Sequence, residues 1–480
     1  MSTFTADRSA ALGGPAWLRR RRAAASEELA VMPMPSEKEE VWRYTPIDEL
    51  RLDEYAPSDG TELGALGSAF LDGVVADLPV RGALVTAVDG RPIAVETPGV
   101  PEQVRVGGLD VLGDEEGVLG RVLEGGDALV RLSDAFHRDV VVIDVPARVV
   151  LDAPIVVVHW CTTAGEPLDA DGADATSEGM RGVEGVSPAS FPRTVVRLGA
   201  GSSAQVVEIV AAAPGSGRGL VVPVTELSAG DGAQLSYAAL QVLGAGAWHL
   251  SRLAAVAGRD ATLRTFTVGL GGAYDRSRTD ALADGPGSTT ELRSAYLGTG
   301  TQVHDVRTLQ DHAAPHTTSD LLCKGAVAGS SRSVYSGLIR VRRGAIRTNA
   351  FQTNQNLVLG DGAHADSVPN LDIQENDVRC SHASTVGPVD EDQRYYLESR
   401  GIPPARAEQL IVLGFFDDIV QRSPVPALAP RLRREVGLRL AGTLELDLTA
   451  VELEGAAAGL PGLPGTVERD ERTGTGERRG

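Results

Sequence analysis

From Val140 onward the chain is written in short apolar runs set between small-residue turns: VVVIDVP, RVVLD, PIVVVHW, TVVRL and AQVVEIV. Runs of this length, alternating or wholly apolar, are strand patterns. A turn-then-strand unit recurs in LGAGSSAQVVEI at Gly201, LSAGDGAQLSYA at Gly230, AVAGRDATLRTF at Gly258 and ADGPGSTTELRSA at Gly287, the glycines 29, 28 and 29 residues apart. Gly329 and Gly360 follow at a spacing of 31. A near-constant period of this size, made of strands and turns without helical stretches, predicts a stacked parallel β-solenoid over residues 140–388. The competing reading is an antiparallel β-sandwich. Its turns would recur every 8 to 12 residues or so, around a more aromatic core, so the solenoid is preferred.

Helical periodicity marks both ends. A helix over 16–31 must stop before Pro33 and Pro35. Ser36 stands three residues before Glu39, as in a capping box, and Trp42 and Tyr44 are expected to anchor this segment. GVLGRVLEGGDALVRLSDAF, 117–136, reads as a further helix. Residues 16–139 are therefore expected to be mostly helical, after a small, polar and disordered stretch at 1–15. Within the solenoid, residues 162–190 are polar and glycine-rich and predict a flexible insertion.

After Pro388 the period changes again. EDQRYYLESR ends at Gly401, a suitable C′ residue, and Pro403 and Pro404 suit the opening of the next helix. In ARAEQLIVLGFFDDIVQR, Leu410, Leu413, Phe416 and Val420 form an apolar stripe. PRLRREVGLRLAG and LELDLTAVEL complete a C-terminal helical region, 389–454, before a low-complexity tail, 455–480, expected to be disordered.

Composition narrows the functional classes. Glycine is 56 of 480 residues and aromatics 4%, the apolar residues being mainly Ala, Val and Leu; small and β-branched side chains suit tightly stacked strands. A net charge of −20 argues against nucleic acid or an anionic membrane as partner. Three scattered cysteines, Cys161, Cys323 and Cys380, imply no disulfide framework and fit a reducing compartment. No apolar run is long enough to span a bilayer, and the basic cluster in AWLRRRRAAASEELA is followed by no apolar stretch of a secretory signal. The expected location is cytoplasmic.

No GxxxxGK[ST], HExxH or GxSxG is present, which removes the usual signatures of nucleotide, zinc-protease and serine-hydrolase chemistry. What remains is a set of metal-ligand types late in the solenoid: His304, His312, His316, Cys323, His364, Cys380 and His382. Pro315 keeps HDVRTLQDHAAPH from being helical, but residues one coil apart can stack, so His304, His312 and His316 leave open a stand-alone metal-dependent β-helix enzyme. Cys380 and His382, at i and i+2 on a strand, point to one face. Two ligands fall short of the usual four, and residue types alone favour packing: Cys380 a small buried hydrophobe, His382 satisfied by backbone. Cys161, beside Trp160 in a valine-rich run, reads as core. Cys323 precedes Lys324, a cation that lowers a thiol pKa when it faces it, and reads equally well as an ordinary packed thiol.

The run SVYSGLIRVRRGAIRTNAFQTNQNLVLGDGAHADSVPNLDIQENDVRCSHASTVGPVDEDQRYYLESRGIPPARAEQLIVLGFF strongly resembles the SufB/SufD family of iron–sulfur cluster assembly scaffolds, through QTNQNLVL, the P-x-L-x-I of PNLDI, DVRCSH and YYLESRGI. The resemblance is specific over about residues 325–422, and EVWRYTPIDEL is similar to the entry segment of SufD members. SufB members usually carry a cysteine at the place of Asn354 and EHEA at the place of CSHA; Asn354 and His382 match the SufD pattern, Ala383 standing where glycine is usual. The resemblance implies a right-handed parallel β-helix with helical ends, joined to a SufB-like subunit through the β-helix. It also implies two copies of a SufC-like ABC ATPase, docked on helices at about 390–440, so that the chain itself is non-catalytic. It places His382 near the SufB interface, where a transient iron or iron–sulfur cluster shared with SufB would assemble, with Cys380 as a helper. His364 and Cys323 are weaker metal candidates, and a flavin is compatible with the family but not indicated by any motif here.

Overall fold

The repeat along the chain becomes register in space. The computed structural model describes residues 3–112, 117–123, 125–164, 186–213, 215 and 217–443. Each repeat gives one strand to a 12-stranded sheet and one to a 10-stranded sheet, stacked as a β-solenoid of about 7 turns. Gln234 lies beside Ser203 on one side and Thr262 on the other, 31 and 28 residues away in the chain. Successive coils pair in parallel throughout; among the described residues, antiparallel pairing is confined to Ala83–Val88 with Arg91–Glu96 and Arg105–Gly107 with Val141–Val145. An antiparallel sandwich is thereby excluded.

One turn of each coil carries the period. Gly201, Gly232, Asp260, Gly287, His316 and Arg347 all have φ between 53° and 75°, the left-handed region that glycine enters most readily. The amide of each donates to a carbonyl of the next coil: Gly201 to Asp231 at 2.8 Å, Gly232 to Arg259 at 2.7 Å, Gly287 to Pro315 at 3.2 Å, His316 to Ile346 at 2.8 Å and Arg347 to Asp377 at 2.6 Å. The repeating position of the second and third of these turns is thus Gly232 and Asp260, two residues past Gly230 and Gly258. Gly230 serves a different need, close stacking: a Cβ there would lie 2.9 Å from the Leu198 carbonyl oxygen of the coil below.

Seven α-helices flank the coils among the described residues: α1 (Ala6–Ala10), α2 (Ala16–Val31), α3 (Gly64–Asp77), α4 (Ala128–Phe136), α5 (Glu391–Ser399), α6 (Pro404–Val420) and α7 (Ala429–Thr443). Val85, Val157, Val206, Leu235 and Leu263 of one sheet meet Ile143, Val196, Leu227 and Leu253 of the other inside the solenoid. Outside, α2 covers one sheet through Trp17 and Leu18 against Val140, Val142 and Val195. α3, α6 and α7 cover the other, setting Val74, Phe416, Ile419 and Leu432 against Val158, Ile209, Leu240 and Phe266.

Several local expectations are revised by these contacts. Residues 3–15 are ordered against the body: α1 is held by the Ser9 hydroxyl donating to the Ala135 carbonyl at 2.8 Å, and Phe4 meets Phe136 edge-on at 5.2 Å. The helix expected over 117–136 is only α4. Gly125 and Gly126 have positive φ, and Asp127 caps the helix by accepting from the amides of Leu129 and Val130. The region 16–139 also carries strands, and Ala83–Val88 joins the solenoid beside Ile155–Trp160. Trp42 is the anchor of its segment, buried under the Arg276 guanidinium 3.6 Å from its ring, whereas Tyr44 is exposed. The Ser36 amide does donate to Glu39 at 3.2 Å, but the turn that follows is the short 3-10 helix Glu40–Trp42. On α6 the buried face is Val412, Phe416, Ile419 and Val420; Leu410 and Leu413 lie at its margin. Of the 162–190 insertion, residues 165–185 lie outside the described residues and Ser187–Ser190 pairs with Tyr55–Pro57. LELDLTAVEL and the 455–480 tail also lie outside them. No described helix is long and apolar enough to cross a membrane.

Candidate functional site

The solenoid stops at an unpaired edge. Strand Val378–Gly387 ends the 10-stranded sheet and strand His364–Ile373 the 12-stranded sheet, each with a strand neighbour on one side only among the described residues. In register, Cys380 lies beside Ala350, His382 beside Gln352 and Ser384 beside Asn354. Ala350, Gln352, Asn354 and Asn356 are buried at alternate positions of their strand and face the lumen, while Phe351 between them is exposed. The same alternation turns Cys380, His382 and Ser384 to the lumen side, where no further coil of the described residues covers them.

Position decides what each can do. His382 is exposed, and its imidazole has no hydrogen-bond partner among the described residues; the backbone partner expected for it is not there. Cys380 is half-buried against Ile339, Val341, Ala345 and Ala350, and this burial raises its thiol pKa. It is a packed thiol at the rim of the lumen, less enclosed than a core cysteine.

The other candidates are placed elsewhere. Cys323 is buried in the lumen, and burial pushes its thiol up to about 12, only partly offset by hydrogen bonds from Asn354 and Ser294. Lys324 points to the opposite face and pairs with Asp418 of α6 at 2.6 Å, so it does not activate the thiol. Cys161 is core, packed with Val210, Ala212 and Leu243. His364 is exposed and pairs with Asp366 at 3.1 Å.

His304, His312 and His316 do not form a group. His304 and His312 lie near the start and at the end of one strand, Val303–His312, roughly 26 Å apart at the rise of a β-strand. His304 is buried with Nδ1 3.0 Å from Asp275, a carboxylate it shares with His249 at 2.7 Å. His312 is held between the hydroxyls of Thr317 at 2.7 Å and Ser319 at 2.8 Å, and His316 is a turn residue. Among the described residues no three His, Cys, Asp or Glu side chains converge to hold a metal ion.

The alternation of QTNQN carries information that residue types in isolation do not. Gln352, Asn354 and Asn356 occupy successive lumen positions, and Asn354 Oδ1 accepts from Asn356 at 2.7 Å and from Ser367 at 2.8 Å. Ser384 then donates to Ser367 at 2.7 Å, across the mouth of the lumen. Period-two spacing of three amides in a strand was the signal for this row.

Residues 181–415 match the model of the SUF system FeS cluster assembly SufBD core domain. The chain belongs to the SufB/SufD family. It is 26% identical over 417 residues to the iron-sulfur cluster assembly protein SufD of Escherichia coli (strain K12), covering 87% of this chain and 92% of that protein. It is 41% identical over 211 residues to an iron-sulfur cluster assembly SufBD family protein of Mycobacterium tuberculosis, 42% of this chain and 53% of the relative, so the match spans about half the length of that relative. SufD of Bacillus subtilis is 32% identical over 213 residues, 44% of this chain and 48% of the relative. The terminal coil, with DVRCSH on its last strand, lies within the matched core.

Proposed function

We propose that this SufB/SufD-family chain is the SufD-like scaffold subunit of a complex with a SufB-like subunit and a SufC-like ABC ATPase. It supports ATP-driven assembly of iron–sulfur clusters and is itself non-catalytic, hydrolysis being the work of the SufC-like partner. The observation that carries this reading is the unpaired terminal coil, with the unpartnered imidazole of His382 and the thiol of Cys380 on its lumen side. Two ligands are too few for a site within one chain; a partner stacked on this edge supplies the rest. Unpaired strand edges are templates for another chain, and Val368, Leu371, Ile373 and Val386 are exposed on the same two strands. Iron or a nascent cluster is cargo here, ligated by His382, with Cys380 assisting.

The helical region at about 390–440 is the SufC-like docking site in this reading. Its support is α5, which leaves Tyr395 73% and Tyr396 51% exposed, large aromatic surfaces of the kind that anchor interfaces. Three unpaired cysteines among the described residues are compatible with a reducing, cytoplasmic setting.

Co-purification tests the assignment: a stable complex with SufB- and SufC-like partners is expected, and stoichiometric metal on an isolated chain that binds no SufC-like protein would overturn it. For the site, His382→Ala leaves the complex intact and reduces cluster assembly; undiminished assembly would reject the role of His382.

A further inference from the structure

Gln352 lies directly beneath His382 in the lumen row, its register partner one coil below. Its side chain is 1% exposed, yet among the described residues neither Oε1 nor Nε2 has a hydrogen-bond partner. Buried polar groups are paired as a rule, because an unpaired one forfeits its hydration with nothing in return. Asn354, two positions along the same row, shows the structural use of the same chemistry: its Oδ1 accepts from Asn356 and Ser367, and its Nδ2 donates toward the Cys323 carbonyl. Both polar atoms of the Asn354 amide are engaged by the protein, and among the described residues neither of Gln352's is.

The fold also makes room for this unengaged group. Gly337 faces both the Tyr335 hydroxyl and the Gln352 carboxamide, and a Cβ at 337 would lie 2.4 Å from the Tyr335 hydroxyl oxygen, 2.5 Å from Gln352 Nε2 and 2.8 Å from its Cδ. Any side chain at 337 would displace the Tyr335 hydroxyl and the Gln352 amide. An unpaired carboxamide, given space and set one coil below an exposed imidazole, has the form of a ligand-facing group.

We infer that Gln352 is a third member of the terminal-coil site, its carboxamide N–H donating to a sulfur of the iron–sulfur species held at His382; this rests on the reading of His382 as an iron ligand. The class of ligand is sulfide or thiolate sulfur, which accepts hydrogen bonds and whose redox behaviour they tune. A neutral donor adds no charge to a lumen that already buries Glu208 and Asp275.

The test is Gln352→Met in the full chain, purified with its SufB- and SufC-like partners and reconstituted anaerobically with ferrous iron and sulfide. Methionine keeps the length and apolar bulk and removes the donor. The melting temperature is expected to stay level or rise, since two unpaired polar atoms are lost, while cluster formation falls roughly tenfold, the size of effect usual for groups that support metal ligands. Residual cluster should show a lower midpoint potential than in the unsubstituted complex. A fall in melting temperature with unchanged cluster formation would mean that the amide serves an internal water and the fold alone, and would overturn the inference, as would unchanged cluster formation at unchanged stability. His382→Ala in parallel separates the two readings. If His382→Ala abolishes assembly and Gln352→Met does not, only the role of Gln352 falls; if His382→Ala assembles normally, the site reading falls with it.

Discussion

Tyr296 reaches across a whole coil to Asn356, its hydroxyl donating to the amide oxygen through space left by Gly325 between them. From Asn356 the chain of hydrogen bonds continues through Asn354 and Ser367 to Ser384 on the last strand. The open edge, the last coil of the described residues, is thereby tied to the buried interior.

Gly325 is the position on which this tie depends. A Cβ there would lie 2.0 Å from Tyr296 Cζ, so Gly325→Ala must push the ring out of its place. Overpacking of this kind costs about 1–3 kcal/mol. A fall of that size in unfolding free energy, measured by urea titration, is expected; unchanged stability would show that the ring is free to move aside.

Acid should weaken the fold through buried histidines. Burial pulls His312 down to about 4 and His137 to about 3, against roughly 6.5 in an unfolded chain. As pH falls below that value the unfolded chain takes up protons that the folded chain refuses. The stability contributed by neutral burial is thus whole above about pH 6.5 and lost as pH falls toward 4, by roughly 1.4 kcal/mol per unit for each such group. Urea midpoints at pH 7 and pH 5 measure the slope, which His312→Gln should flatten; an unaltered slope would remove His312 from the account.

His316 is a left-handed turn residue with φ 60°, a conformation that costs a side-chain-bearing residue about 1–2 kcal/mol and that glycine adopts without it. After the greater entropy that glycine loses on folding, His316→Gly should leave stability equal or raise it by up to about 1 kcal/mol. Cluster assembly should be untouched. Loss of assembly in this variant would return His316 to the functional residues.

The thiols should differ in reactivity. Cys323 and Cys161 are buried and burial raises both thiol pKa values, so neither should alkylate with iodoacetamide in the native chain. Cys380, half-buried with a raised pKa, should react, more slowly than in the unfolded chain. Peptide mass spectrometry after timed labelling reads this out, and native labelling of Cys323 would contradict its placement in the lumen.

Much of the architecture is visible in a single line of residues because a solenoid is nearly one-dimensional. Each coil touches its neighbours, so the spacing from Gly201 to Gly287 is the coil itself written out. α2 and α6 were legible from Pro33, Gly401 and Pro404 for the same reason: helix ends are local chemistry. The alignment of the turns was less so. Gly230 and Gly258 attract the eye as glycines, but the left-handed position is shared by Gly232, Asp260, His316 and Arg347, and only backbone geometry reveals that they are equivalent.

By itself the sequence determined the strand period, the helical ends, the family and the pairing of Cys380 with His382 on one strand face, all of them properties of neighbours in the chain. Tertiary structure decided which residues that strand faces. It set His382 at the last edge of the described coils, above the Gln352 amide that no described residue pairs, turned Lys324 away from Cys323 toward Asp418, and dispersed His304, His312 and His316 among separate partners. Contacts between coils join residues about thirty positions apart, and whether a polar group there is satisfied or left open depends on side chains of several coils at once, which no local pattern encodes.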